Sequence, residues 1–326
     1  MNLQELKLSE QAKNLLCCPI CKSETRLINN EFECINDGCK ACFPIINGTP
    51  ILINSDFSVF SINDFIQQGN NPILKTKSKL ERFMIDLIPS ISLNLKAKEN
   101  YQNFMQLILK QNNNPKILII GGSVLGQGIE SLISTSSIEI IESDVVLADN
   151  ISVICDAHKI PFKDNSIDGV IVQAVLEHVV DPHSCVEEIY RVLKEDGLVY
   201  SETPFMQQVH LGKYDFTRFT HLGHRRLFRK FEEISSGPVC GSGMALAWSY
   251  QYFLLNFVSS EIARNLVKVF ARLTSFWLKY FDYFLINKAG SFDSASAYFF
   301  IGKKGDKILT DKELLSLYKG NQLSSF

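Results

Sequence analysis

A short apolar run gives way to a glycine-rich turn in the sequence Lys116-Ile117-Leu118-Ile119-Ile120-Gly121-Gly122-Ser123-Val124-Leu125-Gly126-Gln127-Gly128. Because the run is short and is bounded by Pro115 and by glycines, it predicts a buried parallel strand rather than a helix. A helix is expected over residues 129–134, followed by a second strand over 138–141 that leads into Glu142. A strand, a glycine turn, a helix and a strand that ends in an acid form the nucleoside-binding half of a doubly wound α/β fold.

Each part of this unit has a role toward a nucleoside ligand. The glycines allow the ligand to approach the backbone closely, and the start of the helix faces the charged part of the ligand. The carboxylate of Glu142 is expected to accept hydrogen bonds from ribose hydroxyls, and Asp144 takes that place if Glu142 points away. Glycine turns between a strand and a helix are common, so the residues that follow decide which ligand is bound.

Several motifs follow the turn, in this order: Cys155-Asp156-Ala157, Ile160-Pro161-Phe162, Ser166-Ile167-Asp168, Leu176-Glu177-His178 and Arg191-Val192-Leu193-Lys194. With them, residues 116–204 resemble the class I S-adenosylmethionine-dependent methyltransferases, in the branch whose motifs read Asp-Ala, Leu-Pro-Phe, Ser-Phe-Asp, Leu-Glu-His and Arg-Val-Leu-Lys-Pro-Gly-Gly. The resemblance implies S-adenosyl-L-methionine as the cofactor. It also implies a doubly wound, mostly parallel, Rossmann-like sheet of seven strands, whose antiparallel last strand is expected over residues 297–302.

The resemblance assigns roles to individual residues of the cofactor site. In the family, the acid after the second strand binds the ribose. The aspartate of the Asp-Ala motif accepts a hydrogen bond from the adenine amino group, and the next backbone amide contacts the ring. The cofactor-binding residues that follow from this resemblance are Gly121, Gly122, Ser123, Gly126, Glu142, Asp156, Ala157 and Gln173.

The glycine turn departs from the family pattern at three places. Ile119 stands where the family usually carries an acid, Ser123 stands where a second glycine is usual, and residues 124–125 look inserted before Gly126. We expect the backbone amides of the turn to hold more of the methionine end of the cofactor. A degenerate domain that no longer methylates is the alternative interpretation.

Six of the nine cysteines lie between residues 17 and 42. In a long chain whose first residues do not resemble a secretory signal, this clustering predicts metal binding rather than disulfides. Cys18-Pro19-Ile20-Cys21 forms one knuckle, in which two thiolates share a tetrahedral ion. The spacing leaves the second pair open, because either Cys34 with Cys39 or Cys39 with Cys42 fits.

The sequence Cys42-Phe43-Pro44-Ile45-Ile46-Asn47-Gly48-Thr49-Pro50-Ile51-Leu52 resembles the end of small zinc-ribbon domains. Such domains occur alone as activating partners of methyltransferases and also fused in front of them. The resemblance implies the ligand set Cys18, Cys21, Cys34 and Cys39, with Cys17 and Cys42 as spares. Four thiolates close the coordination sphere, so the zinc ion is expected to be structural. Buried free thiols without a metal are the alternative.

The sequence divides the chain into four parts: a zinc ribbon over 1–54, a linker with helices over 55–114, the methyltransferase domain over 115–304 with a helical insertion at about 244–288, and a polar tail over 305–326. Apolar residues recur at helical spacing from Leu80 to Ile88 and again from Tyr101 to Leu109. The second of these helices is expected to pack on the sheet or to cover the cofactor.

Methyl transfer from a sulfonium is an in-line displacement, so the protein must align the acceptor and remove the proton of a hydroxyl acceptor. Histidine suits proton removal because its unperturbed pKa is about 6.5. His178 follows the fourth strand at the carboxyl edge of the sheet, where open α/β sheets bind ligands. It is a candidate base there, and the alternative is a residue that only shapes the cofactor pocket.

A second polar group follows the fifth strand, and loops at this edge carry function. The phrase Tyr214-Asp215-Phe216-Thr217-Arg218-Phe219-Thr220, followed by Arg225-Arg226-Leu227-Phe228, resembles a subgroup of these methyltransferases that is linked to glycans and other cell-surface polymers. In that light His210 is a candidate base. The acceptor-binding residues that follow are Tyr214, Asp215 and Arg218. The alternatives are a structural ion pair between Asp215 and Arg218 and a solvent-exposed helix face at Arg225 and Arg226.

The sequence from residue 234 to residue 260 has no charged residue. Its apolar centre is shorter than the roughly 20 residues of a membrane span and contains Gln251 and Asn256, so no transmembrane helix is expected. Beyond it, apolar residues recur on one helix face: Ile262, Leu266, Val269, Phe270, Leu273, Phe276, Trp277, Tyr280 and Phe284. The pattern suits peripheral membrane contact through about 244–286, packing over the substrate cleft, or a dimer contact.

The formal net charge of −2 disfavours a nucleic-acid partner, and the N-terminus predicts a cytoplasmic protein, with the inner face of the membrane as a further location. The sequence therefore predicts an S-adenosylmethionine-dependent methyltransferase that methylates an oxygen of a glycan, a lipid-linked sugar or a related small acceptor. The alternatives are a non-catalytic module that senses the cofactor or activates a partner, and an RNA or protein methyltransferase whose ribbon recruits the acceptor.

Overall fold

The computed structural model describes residues 5–68 and 88–322, and this part of the chain begins with a small antiparallel sheet. Helix α1 (Glu10–Lys13) precedes four strands, which pair in chain order: β1 (Thr25–Ile28), β2 (Glu31–Cys34), β3 (Cys42–Ile46) and β4 (Thr49–Pro50). The hairpin turns are Asn29-Asn30, with φ of 50° and 67°, and Asn47-Gly48, with φ of 51° and 76°. Asparagine and glycine tolerate the positive φ that two-residue hairpin turns require. The small N-terminal sheet of the predicted ribbon is therefore present.

The main sheet has seven strands within the described residues, and helices cover both of its faces. Its strands are β5 (Lys116–Ile120), β6 (Glu139–Asp144), β7 (Val153–Ile154), β8 (Ile167–Gln173), β9 (Leu193–Pro204), β10 (Phe231–Cys240) and β11 (Ala297–Lys304). The helices before and between them are α2 (Ile62–Gln68), α3 (Ala97–Gln111), α4 (Glu130–Ile133), α5 (Pro182–Val192) and α6 (His221–Leu227).

The strand order of the main sheet is β10-β11-β9-β8-β5-β6-β7. Strands β5 to β9 pair with one another in parallel, whereas β11 lies between β9 and β10 and is antiparallel to both. The order reverses at β5, so the ends of β5 and β8 flank the switch point at which open α/β sheets bind ligands. The predicted doubly wound sheet with an antiparallel last strand is confirmed.

Alternate residues of β5 pack against the two helix layers. Leu118 and Ile120 belong to the core under α5, and Ile117 and Ile119 belong to the core under α3. Such a strand, buried on both faces, gives the continuous apolar run seen in the sequence. A Cβ atom added to Gly169 on β8 would lie 2.5 Å from a side-chain carbon of α3, so this glycine allows α3 to pack closely on the sheet.

The N-terminal sheet and the main sheet share one hydrophobic core, to which Leu16, Phe43 and Phe162 all belong. The backbone N–H of Cys17 donates to the carbonyl of Pro161 at 2.9 Å, and Ile51 forms a parallel bridge with Ile154 at the end of β7. The ribbon therefore extends the edge of the main domain and braces it.

The segment between β10 and β11 is helical, as the predicted insertion requires. It contains α7 (Ser242–Leu255), α8 (Glu261–Ser275), a 3₁₀ segment (Phe276–Phe281), α9 (Asp282–Leu285) and α10 (Ser291–Ser294). Within the described residues, no helix is long and apolar enough to cross a membrane. Residues 305–322, expected as a polar tail, contain α11 (Asp311–Leu315), which a capping box at Thr310 begins and the buried side chain of Leu314 anchors. Of the helix expected over 80–88, residues 80–87 lie outside the described part of the chain.

Candidate functional site

Four cysteines of the N-terminal sheet bring their sulfur atoms together. The Sγ atoms of Cys18, Cys21, Cys34 and Cys39 all lie within 4.8 Å of one another, with 3.8 Å between Cys18 and Cys39 and 3.4 Å between Cys21 and Cys34. Sulfur atoms bound at about 2.3 Å to a tetrahedral zinc ion lie about 3.8 Å apart, so this cluster fits a structural zinc site. Cys42 is exposed outside the cluster, so the structure selects Cys34 from the two pairings that the spacing allows.

The glycine turn after β5 is held by the neighbouring strand β6. Gly121 has φ +80°, and a Cβ atom there would lie 2.3 Å from Val175. The N–H groups of Gly121 and Gly122 donate to the carbonyl of Ser143, and the N–H of Ser123 donates to Oδ2 of Asp144 at 2.9 Å. These amides are already bonded, and α4 is a single turn, so the expected helix N-terminus contributes little to binding a charged group.

The departures from the family pattern have structural reasons. Ile119 is buried in the core under α3, so the position of the family's acid is here a packing position. Val124 and Leu125, which look inserted in the sequence, have exposed side chains. The turn therefore bulges into solvent without displacing the strand that precedes it.

A cavity of about 90 Å³ lies beside the turn at the carboxyl edge of the sheet. Residues that line it include Gly121, Asp144, Asp156, Ala157, Val175 and His178. Glu142 does not line this cavity, because its carboxylate accepts a hydrogen bond from Asn150 at 3.0 Å. Burial raises the pKa of both Glu142 and Asp144, against the hydrogen bonds that each accepts. Of the two acids considered for the ribose, Asp144 faces the cavity.

Asp156 lies on the cavity wall with both carboxylate oxygens in use. One oxygen accepts from the N–H of His158 at 2.9 Å and contacts the ring of that residue, and the other accepts from the hydroxyl of Ser58. Burial alone would raise the pKa of Asp156, but the hydrogen bonds from His158 and Ser58 hold it below its usual value. The carboxylate is therefore ionised and fixed in place at the predicted adenine position.

Two aromatic rings that are far apart in the sequence, Phe60 and Tyr214, cover the cavity. Phe60 lies in the segment between the ribbon and α2, Tyr214 ends a short 3₁₀ turn after β9, and their ring centroids stack at 5.8 Å. Both rings line this cavity, and Tyr214, predicted to bind the acceptor, does not line the second cavity described below. Sequence reasoning missed Ser58 and Phe60, because this segment carries several apolar residues and no motif that distinguishes these two.

Gln173, predicted to bind the cofactor, is held in a buried network. Its side-chain oxygen accepts from the hydroxyl of Tyr101 at 2.8 Å, and its amide nitrogen donates to Glu202 at 2.8 Å. A Cβ atom on Gly126 would lie 1.7 Å from the Gln173 oxygen, so the glycine turn rests directly on this side chain. Gln173 thus supports the turn, and it is not among the residues that line the cavity.

The two histidines predicted as bases form a pair. Nε2 of His178 lies 3.1 Å from Nε2 of His210, and Nδ1 of His178 lies 2.8 Å from the carbonyl oxygen of Tyr214. Glu177 lies beneath them, with one carboxylate oxygen 3.7 Å from His178 and 3.9 Å from His210. Burial raises the pKa of Glu177 to about 8, and burial and the neighbouring His210 lower the pKa of His178. The Leu-Glu-His motif contains Glu177, but only the fold shows that its carboxylate is buried beside both histidines.

Asp215 and Arg218 form an ion pair that fixes the loop after β9. The guanidinium of Arg218 uses all five of its N–H groups on the carboxylate of Asp215 and on the carbonyls of Gln207, Gln208 and Thr217. Although burial opposes ionisation, the hydrogen bonds from Arg218 and from the N–H of His210 hold the pKa of Asp215 well below its usual range. Arg218 therefore has no N–H group left for an acceptor molecule. Asp215 and Arg218 form the structural ion pair that the sequence analysis gave as the alternative to acceptor binding.

A second cavity, of about 590 Å³, lies on the other side of this loop. The residues around it include Phe205, Gln208, Asp215, Phe216, Ser249 and Tyr252. His178 lines the first cavity, and its neighbour His210 is bonded to Asp215, which lines the second. The histidine pair therefore connects the wall of the first cavity, through His178, to a residue on the wall of the second, Asp215.

The comparisons with known proteins agree with this architecture. The family described as a methyltransferase domain matches residues 132–201, a range that contains Asp156, Gln173 and His178. The ubiquinone/menaquinone biosynthesis C-methyltransferase UbiE of Desulfotalea psychrophila is 46% identical over 44 residues, so this chain spans 18% of the length of that curated relative, and the match is 14% of this chain.

Two solved structures are distant neighbours of the fold. A SAM dependent methyltransferase from Archaeoglobus fulgidus is 16% identical, with a TM-score of 0.39, and the match covers 70% of this chain and 100% of that one. Phosphoethanolamine N-methyltransferase 2 of Haemonchus contortus, in complex with S-adenosyl-L-methionine, is 16% identical, with a TM-score of 0.42. The match covers 76% of this chain and 60% of that one.

Proposed function

We propose that this chain, which carries a class I S-adenosylmethionine-dependent methyltransferase domain, transfers a methyl group to an oxygen of a glycan, a lipid-linked sugar or a related small acceptor. The observation that carries this proposal is that His178 lines one cavity while its neighbour His210 is bonded to Asp215 on the wall of a second cavity. Methyl transfer requires the donor and the acceptor to meet in line across a short distance. The smaller cavity suits the donor, and the larger cavity suits the acceptor.

We assign each part of the cofactor to different residues of the smaller cavity. Asp156 and the backbone of Ala157 hold the adenine, Asp144 faces the ribose, and the rings of Phe60 and Tyr214 exclude water. When bound, S-adenosylmethionine supplies a methyl group on a sulfonium, which is already a good leaving group. We assign the activation of the acceptor hydroxyl to His178 and His210.

The larger cavity supports an acceptor that carries hydroxyl groups. The side-chain oxygen of Gln208 is buried there and has no hydrogen-bond partner among the described residues, while its amide nitrogen donates to Ser249. A buried acceptor atom without a partner is unfavourable, and a ligand hydroxyl would satisfy it. The rings of Phe216 and Tyr252 give the cavity flat apolar walls, which match the faces of a sugar ring.

The helical insertion supports an acceptor held at a lipid surface. The apolar stripe that runs along α8 and the 3₁₀ segment after it faces solvent, with Ile262 77%, Leu266 67% and Phe270 54% exposed. The basic residues of the same segment face the protein, since Arg264 donates to the carbonyl of Leu255 and Lys279 donates to that of Ser90. This arrangement is the reverse of an ordinary surface helix, and it matches an interfacial helix whose apolar face enters the headgroup region.

The cofactor proposal is tested by calorimetric titration of the purified chain with S-adenosylmethionine. We expect one binding site, with affinity lost in Asp144→Ala and retained in part in Glu142→Ala, because Asp144 faces the cavity. If only Glu142→Ala loses affinity for S-adenosylmethionine, Glu142 and not Asp144 binds the ribose. Binding by the wild type justifies acceptor screening, beginning with nucleotide-linked and lipid-linked sugars.

The lipid-surface proposal is tested by cosedimentation with phosphatidylglycerol vesicles. We expect the chain to bind these vesicles and the double variant Leu266→Ser with Phe270→Ser to lose binding. Leu315→Ser, which changes an exposed leucine on α11, is the matched control and is expected to bind like the wild type. A wild type that stays in the supernatant refutes the membrane contact and leaves packing against a second copy as the explanation of the stripe.

One observation favours a second candidate, a non-catalytic module that activates a partner. The amide of Ser123 is bonded to Asp144, and the cavity beside the turn is small at about 90 Å³. A wild-type chain that fails to bind S-adenosylmethionine in the titration above would support this second candidate, and the search would then turn to protein partners.

A further inference from the structure

Glu177 is a buried carboxylate without hydrogen-bond partners. Its residue is 0% exposed, and neither side-chain oxygen has a hydrogen-bond partner among the described residues. A buried carboxylate is strongly unfavourable unless it is neutralised by a proton, a charged group or a metal ion. Arg218, the cation nearest to this region, is used by Asp215. Something else must therefore compensate Glu177.

The Nε2 atoms of His178 and His210 both lie within 4 Å of one carboxylate oxygen of Glu177. The three separations are 3.7 Å and 3.9 Å from the Glu177 oxygen to the two nitrogens and 3.1 Å between the nitrogens. Three atoms at these separations lie on a circle with a radius of about 2.1 Å, which equals the bond length from zinc to a histidine nitrogen or a carboxylate oxygen. One point is therefore at bonding distance from all three atoms.

The outer contacts of both rings leave their Nε2 atoms free to bind a cation. Nδ1 of His178 faces the carbonyl of Tyr214 at 2.8 Å, so this nitrogen carries the proton. Nδ1 of His210 lies 3.3 Å from the carbonyl of Gln208 and 3.5 Å from Asp215, which are both acceptors. Metal-binding histidines donate their outer N–H to a carbonyl or a carboxylate in this way. The lone pairs of both Nε2 atoms and one carboxylate oxygen of Glu177 then converge on the same point.

We infer that Glu177, His178 and His210 bind one divalent first-row transition-metal ion. Two imidazoles and one carboxylate are the ligands that zinc, iron(II) and cobalt(II) accept, and three protein ligands leave coordination positions open. The site differs from the four-cysteine cluster in its ligands and in its place in the fold. His178 lines the smaller cavity, and His210 is bonded through its N–H to Asp215 on the wall of the larger one.

The role of this ion rests on the proposed function, whereas its binding does not. The oxygen of an acceptor hydroxyl binds the ion, which lowers the pKa of the hydroxyl, and the proton leaves to water. A lone pair of that oxygen forms the new bond to the methyl carbon as the bond from carbon to sulfur breaks, and S-adenosylhomocysteine leaves. His178 and His210 thus activate the acceptor as metal ligands.

The test measures metal binding in the absence of cofactor and acceptor. The full chain, with zinc in the ribbon, is titrated with Co²⁺ and Zn²⁺ by calorimetry, and the metal content is counted by mass spectrometry after desalting. We expect one metal beyond the ribbon zinc. Glu177→Gln and His210→Ala are each expected to weaken that second site at least tenfold while the ribbon zinc remains.

His183→Ala removes an exposed histidine on α5 and is expected to keep both metals. A wild type that holds only the ribbon zinc at saturating Co²⁺ overturns the inference and assigns a shared proton to the cluster. Retention of the second metal in both variants, Glu177→Gln and His210→Ala, also overturns it. If the second metal binds but S-adenosylmethionine does not, the proposed function fails and the metal site stands.

Discussion

The hydroxyl group of Ser58 donates a hydrogen bond to the carboxylate of Asp156, and this bond ties the segment after the ribbon to the cofactor cavity. The same segment carries Phe60, whose ring stacks on Tyr214 from the loop after β9. The cavity is thus closed by two parts of the chain that are far apart in sequence. The segment that follows the ribbon therefore contacts the residue to which we assign the adenine, Asp156.

Asp156→Ala is expected to weaken the binding of S-adenosylmethionine by about 1–3 kcal/mol, because a buried hydrogen bond to the adenine is lost. That loss corresponds to a roughly 5- to 150-fold increase in Kd, measured by calorimetry. Asp164→Ala, a change on the loop between β7 and β8 where the aspartate pairs with Arg191, is the control and should leave Kd unchanged. An Asp156→Ala variant with the wild-type Kd contradicts the adenine assignment.

Phe60→Ala is expected to weaken cofactor binding because it removes one of the two rings that cover the cavity. The loss of stacking amounts to about 0.5–1.5 kcal/mol, in addition to the lost buried area. The matched control is Phe57→Ala, which removes a ring that is 72% exposed on the same segment. Equal affinities for the two variants would show that Phe60 does not act as a cover. The measurement is again the Kd for S-adenosylmethionine.

Sequence reasoning can predict where residues lie when local structure fixes their positions. Asp156 and Ala157 follow directly after β7, and His178 follows β8, so a motif at a strand end predicts a place at the carboxyl edge of the sheet. The four zinc ligands are predictable for the same reason, since knuckles and hairpins are local.

Ser58 and Phe60 were not predictable in this way. Their contacts with Asp156 and Tyr214 depend on the path of a linker that carries no motif. The burial of Glu177 likewise depends on the loop after β9, whose Phe216 donates its N–H to the Glu177 carbonyl. Arg225, expected on a solvent-exposed helix face, is 3% exposed and donates to the carbonyls of Phe228 and Phe231. That expectation was wrong, because helix periodicity does not reveal which neighbouring carbonyls lack a donor.

Changing both Cys18 and Cys21 to serine is expected to release the zinc ion and to lower the melting temperature of the whole chain. The ribbon shares its core with the main sheet, so its loosening should not appear as a separate early transition. Cys42→Ser is the control, because Cys42 is exposed outside the cluster and its replacement should leave the ribbon zinc in place. Zinc content is measured by mass spectrometry and melting by circular dichroism. Full zinc content in the double variant would place the ligands elsewhere.

The last prediction concerns Asp168, which joins the start of β5 to β8. Burial alone would raise its pKa, but the hydrogen bonds from the N–H of Lys116 and from Lys194 lower it. A lowered pKa in the folded state adds stability above the unfolded pKa of about 3.9, and that stability is lost as the pH falls through the folded value.

Asp168→Asn is therefore expected to reduce the free energy of unfolding at pH 7 by about 1.5–3 kcal/mol, the range for hydrogen bonds to a charged group. The difference from wild type should shrink as the pH falls from about 4 through the lowered folded pKa, below which both proteins carry a neutral side chain at this position. Urea unfolding at a series of pH values measures both effects. Asp196→Asn changes an exposed carboxylate that pairs with Lys303, and it should stay within about 0.5 kcal/mol of wild type. A difference for Asp168→Asn that is the same at every pH would show that the variant disturbs packing and not a charge.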